Sequence, residues 1–93
     1  MSRRIERCYL VALTDMEDGK IRSITPAGVY DTLADAEIGK MLEIRKAGDR
    51  MAPCYVFMDG FSRCTIDAGS RKRIIEIQER IREERISVKC RRL

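Results

Sequence analysis

The chain has 93 residues, 44% hydrophobic and 37% charged, with 19 Lys/Arg against 15 Asp/Glu and no histidine. This allows one small domain, 1–93, which is too apolar for a disordered chain and more charged than an average globular one. The longest apolar run, residues 8–13, falls far short of the roughly 20 residues of a membrane-spanning helix. The charged opening MSRRIER also lacks the apolar stretch and cleavage site of a secretory signal, so a cytoplasmic location is expected.

Residues 6–14, ERCYLVALT, are rich in β-branched and aromatic residues and predict a strand. Residues 15–19, DMEDG, predict a turn, and residues 20–25 a returning strand ended by Pro26-Ala27-Gly28. Thr32, with Asp35 three residues on, is a capping-box variant that opens a helix. The helix is expected to end near Ala47, with Gly48 as its stop. Leu33, Ala34, Ile38, Met41, Leu42 and Ile44 cover a wide face of it, which predicts a well-buried helix.

Residues 54–58 predict a third strand, folded back by a type I′ turn at Asp59-Gly60 into a fourth at 61–66. Two-residue pairing across that turn puts Tyr55, Phe57, Cys64 and Ile66 on one face, and Cys54, Val56, Met58 and Phe61 on the other. Ser70 then reads as the N-cap of a second helix from 71 to about 87. Ile74, Ile77 and Ile81 form its narrow apolar stripe, flanked by i,i+4 charge pairs. The basic tail, 88–93, is expected to fray.

The expected fold is therefore α+β, in the order ββαββα, with an antiparallel four-stranded sheet from two hairpins and two helices. Residues 8–28 and 54–69 both begin Cys-Tyr and contain Asp-Gly, and both reach Ala-Gly nine residues after that glycine. This echo raises the expectation of a duplicated hairpin–helix unit.

No catalytic constellation is legible. Histidine, the commonest acid–base group near neutral pH, is missing, and there is no nucleophile elbow, phosphate-cradling glycine loop or metal-ligand spacing. No enzyme activity, cofactor or metal is expected. Cys8, Cys54 and Cys64 fall in predicted strands and read as packing, whereas Cys90, among basic neighbours, is the one thiol with reactive surroundings.

Charge is uneven along the chain. Residues 1–70 hold ten Lys/Arg and eleven Asp/Glu, a net of −1, and residues 71–93 hold nine and four, a net of +5. Arg71, Lys72, Arg73, Arg80, Arg82, Arg85, Lys89, Arg91 and Arg92 are the expected electrostatic contact residues. Both faces of the sheet read as apolar, so either the two helices lie on opposite faces of it or a partner covers the remainder, a homodimer being the simplest case. Val56, Met58, Phe61, Ile74, Ile77 and Ile81 are the expected interface residues.

The leading expectation is a small non-catalytic binding protein, a regulator, adaptor or inhibitor. It would occupy the surface of another protein, an acidic one or a protein–nucleic-acid assembly, with no membrane partner. Direct DNA or RNA binding through the basic C-terminal helix is the alternative. A third expectation, by class analogy, is a phage or mobile-element inhibitor of a host complex.

Overall fold

The computed structural model describes residues 5–83. The elements are β1 (Ile5–Glu17), β2 (Lys20–Tyr30), α1 (Leu33–Met51), β3 (Tyr55–Asp59), β4 (Arg63–Ala68) and β5 (Arg71–Glu83). They form one antiparallel five-stranded sheet in the order β2-β1-β5-β4-β3, with α1 connecting its two edges. The expected second helix is therefore a strand, and the four-stranded, two-helix arrangement is overturned. The duplication goes with it, because the second hairpin is followed by β5 and not by a helix. The tail, 88–93, lies outside the described residues.

The misassignment of 71–83 has a physical cause. Ile74, Ile77 and Ile81 are spaced as a helix spaces its apolar face, and Arg, Lys, Glu and Gln are good helix formers. But β5 is a central strand, hydrogen-bonded along all thirteen residues to β1 and along its first half to β4. Pairing with two strands, one of them distant in sequence, outweighs local preference. In the sheet, Ile75 and Ile77 alternate with Ile74 and Glu76, and that two-residue period decides which side chains enter the core.

The β1–β2 hairpin closes through Asp18-Gly19, both at positive φ (53° and 79°), which makes this the type I′ turn. Asp59-Gly60 does something else. Asp59 pairs with Arg63, so the connection has three residues, with only Gly60 at positive φ. The added residue moves the register by one and exchanges the faces. Val56 and Met58 now share a face with Ile66 and Cys64, while Tyr55 and Phe57 share the other with Asp67 and Thr65. Ser70, the expected N-cap, sits in the two-residue turn Gly69-Ser70 between β4 and β5.

On the covered side of the sheet, Val11, Leu13, Cys64, Ile66, Ile75 and Ile77 pack against Ala36, Ala47 and Met51 of α1. Thr32 caps the helix as expected, its hydroxyl accepting from the Asp35 N–H at 3.1 Å. The helix does not stop at Gly48 but runs to Met51. Nor is its wide apolar face buried, for Leu33, Ile38, Met41 and Leu42 are exposed, and small residues seat the helix. A side chain at Gly39 would collide with the Tyr30 ring, and one at Gly28 would come within 2.8 Å of the Tyr30 hydroxyl. These glycines thus make room for Tyr30 between sheet and helix.

Candidate functional site

Among the described residues the single helix lies on one side of the sheet, and no element covers the other face. Cross-strand pairs define what stands there: Leu10 with Val29, Ala12 with Pro26, Thr14 with Ile24 and Met16 with Ile21. Ile74, opposite Thr14 on β5, extends the group. Ala12 is buried and Leu10, Thr14, Met16 and Ile74 are half-covered by neighbours, but the β2 side chains are not: Ile21 is 59% exposed, Ile24 65% and Val29 57%. On the opposite edge of the same face Tyr55 and Phe57 are exposed, their rings tilted with centroids 6.4 Å apart. Glu76, Lys72 and Arg63 lie between the two apolar zones.

Edge strand β2 is irregular. Its register shifts leave Arg22 and Ala27 as extra residues, and Pro26 falls where a donor is dispensable. Bulges and proline protect its backbone edge from pairing with another strand. The apolar side chains on its face receive no such protection.

The expected interface residues are dispersed. Ile77 is in the core, Ile74 is on the open face, and Ile81 is 68% exposed. Val56 and Met58 stand on the helix side of exposed edge strand β3, and Phe61 stands in the β3–β4 connection. Lys40, itself only 4% exposed, donates to the Phe61 carbonyl at 2.6 Å and lies 5.7 Å from the ring centroid. A second apolar zone, on the outer face of α1, forms an open depression lined by Leu33, Ala34, Glu37, Ile38 and Met41.

The expected basic helix is absent over 71–83, and its cations separate onto the two faces of β5. Arg71 and Arg73 lie on the helix side, and Lys72 and Arg80 alternate with them. Arg82 occupies the register position opposite Glu6. Arg85, Lys89, Arg91, Arg92 and Cys90 lie outside the described residues. Cys8 and Cys64 are buried free thiols, and burial pushes the Cys64 thiol up, partly offset by the Lys40 charge.

Beyond the C-terminal end of α1, the helix side of the sheet turns polar. Arg73 grips Asp15 with two hydrogen bonds, Nε to Oδ1 at 2.6 Å and Nη2 to Oδ2 at 3.0 Å. These bonds, the Arg73 charge, a Ser23 hydroxyl bond and the nearby Arg71 charge hold the Asp15 carboxyl below its ordinary value, against the opposing effect of burial. The pair borders a cavity of about 230 Å³ with Arg22, Arg50, Met51 and Arg71 also on its wall.

No family model matches the chain, and no curated protein or solved structure matches it either. The functional reading therefore stands on these surfaces. Among the described residues, no helix is long and apolar enough to cross a membrane.

Sequence reasoning missed Ile21, Ile24 and Val29 because the bulges at Arg22 and Ala27 break the alternation that would mark them as one face. It also missed Arg50, which the early stop at Gly48 placed outside the helix.

Proposed function

We propose that this chain is a small non-catalytic binding protein that acts by occupying the surface of another protein. The observation that carries the reading is the open apolar face, with Ile21, Ile24 and Val29 exposed on β2 beside Leu10, Met16 and Ile74. Antiparallel sheets of small domains ordinarily turn a polar face to water. A contiguous apolar patch marks an interaction site more often than a solvated surface does. A second copy of the chain would satisfy the proposal as well as a different protein would. The intervening Glu76, Lys72 and Arg63 would set orientation more than affinity.

The test compares the wild-type chain with Ile24→Lys/Val29→Lys. Light scattering across the micromolar range reads self-association, and cross-linking in extract of the source cells reads a different partner. The proposal expects either a dimer or a specific cross-linked protein, lost in the double variant and retained in a Lys46→Glu control. Thermal melting checks that each variant is folded. A chain that is monomeric throughout and cross-links identically with and without the substitutions overturns the proposal.

A further inference from the structure

We infer that the cavity at the C-terminal end of α1 binds a compact dianion, a phosphate-bearing small molecule, through Arg50 and Arg71. The inference rests on an accounting of charge independent of the open sheet face. Five cationic residues border the cavity, Arg22, Arg50, Arg71, Lys72 and Arg73, of which Lys72 stands on the opposite face of the sheet. Three are committed elsewhere. Arg73 holds Asp15 with both arms of its fork, Arg22 donates to Glu17 at 2.9 Å, and Lys72 bonds the Gly69 carbonyl at 3.1 Å with Asp67 at 3.7 Å. Arg50 and Arg71 have no side-chain hydrogen bond or ion pair among the described residues.

Two guanidinium groups are thus left over, one from the last turn of α1 and one from the first residue of β5, on the wall of one concavity. Their combined charge matches a phosphate dianion, and a guanidinium fork matches phosphate oxygens two at a time. The volume, about 230 Å³, admits a phosphate group with part of an attached molecule, and Met51 supplies apolar wall.

Two features oppose an anion here, and neither is large enough. The C-terminal end of α1 carries about half a negative charge, against two guanidinium charges that have no ion pair among the described residues, of which Arg71 acts on Asp15 only at longer range. Asp15 and Glu17 are each neutralised by their own arginine. Their neighbourhood also selects between ligands. Acidic Asp18 and Asp49 adjoin cavity residues in the chain, and Asp67 stands across from Lys72, so no continuous basic track is available for a nucleic-acid backbone. A single compact anion needs no such track.

The experiment titrates the full chain with sodium pyrophosphate at low ionic strength, following amide shifts by NMR, and repeats the titration with inorganic phosphate and with ADP. Saturable binding of pyrophosphate is expected. Arg50→Gln and Arg71→Gln should each weaken it about tenfold, the size of one lost charge-assisted contact. Arg50→Lys should weaken it too, by removing the fork while keeping the charge. Lys20→Gln, the same change of charge outside the cavity, should leave it within about twofold. Equal affinity for pyrophosphate and ADP assigns the site to the phosphate alone, and tighter ADP binding assigns it to a nucleoside phosphate. Thermal melting confirms that the variants fold. Absence of saturable binding overturns the inference, as does a Lys20→Gln loss as large as that of Arg71→Gln. Tighter binding of an oligonucleotide lacking terminal phosphate, unaffected by Arg50→Gln, also overturns it.

Discussion

The two faces of this sheet are built from the same strands and similar side chains, yet they have opposite environments. On the helix side Val11, Cys64, Ile66 and Ile75 are completely buried. On the other side Ile24 and Val29 remain more than half exposed. Residue type does not distinguish them, since isoleucine and valine occur on both. What differs is that α1, the chain's one described helix, covers only one face while connecting the two edges. An antiparallel sheet with one covering layer has one free face, and here the β1–β2 part of that face is apolar. The contrast separates residues that stabilise the fold from residues available to a partner.

The largest effect is expected on the covered face. Ile75→Ala opens a cavity beneath α1 and should cost about 3 kcal/mol in chemical denaturation, since Ile75 has no exposed surface. A loss below about 1 kcal/mol would contradict the tight seating of the helix.

At the polar end of that face, Asp15→Asn removes the ionic grip on Arg73 and should cost about 1.5 kcal/mol, because both partners are mostly buried. Its pH signature is separate. The folded carboxyl lies below the ordinary value of 3.8, so the unfolded chain binds the proton first as pH falls. The contribution is present at neutral pH and is lost through acid values down past the folded pKa. The variant should therefore show a shallower loss of stability below pH 4, measured by denaturation at a series of acid pH values.

The helix seat gives a paired test. Gly39→Ala gains helix propensity but drives a methyl group into the Tyr30 ring. The clash should win, for a net loss of about 1 kcal/mol. Gly48→Ala makes the same chemical change in the same helix, where nothing lies within 4 Å. It should stabilise by about 0.7 kcal/mol. Thermal melts of the two variants that shift in the same direction would show that Gly39 is not a packing residue.

The smallest effect is expected on the open face. Ile24→Thr should change the stability of the monomer by less than about 0.5 kcal/mol. A larger loss at low protein concentration would mean that Ile24 supports the fold of the single chain, and the distinction between the faces would fail there.

Local chemistry made several features legible from sequence. Asp18-Gly19 tolerates two consecutive left-handed residues, so the first hairpin was readable. Thr32 and Asp35 marked the start of α1 because a hydroxyl one position before a helix satisfies a free backbone N–H. The β3–β4 hairpin was readable too, although its register was not: Asp-Gly permits both a two-residue and a three-residue connection, and one residue exchanges the faces. The anion-binding cavity was half visible in the Arg71-Lys72-Arg73 cluster. Nothing local showed that Arg73 is committed to Asp15 or that Arg50 joins Arg71.

Local chemistry sets the Asp18-Gly19 turn and the Thr32 cap of α1, each through a few adjacent residues. Long-range pairing decides that residues 71–83 are a strand and that the described sheet has five strands, and the placement of α1 decides which face it leaves uncovered. Those outcomes depend on β5 entering between β1 and β4, whose hydrogen bonds and side chains reward a two-residue period over the helical one. Helix propensity acts within a few residues, while the partners that overrode it lie up to 78 residues away in the chain, as with Ile5 and Glu83.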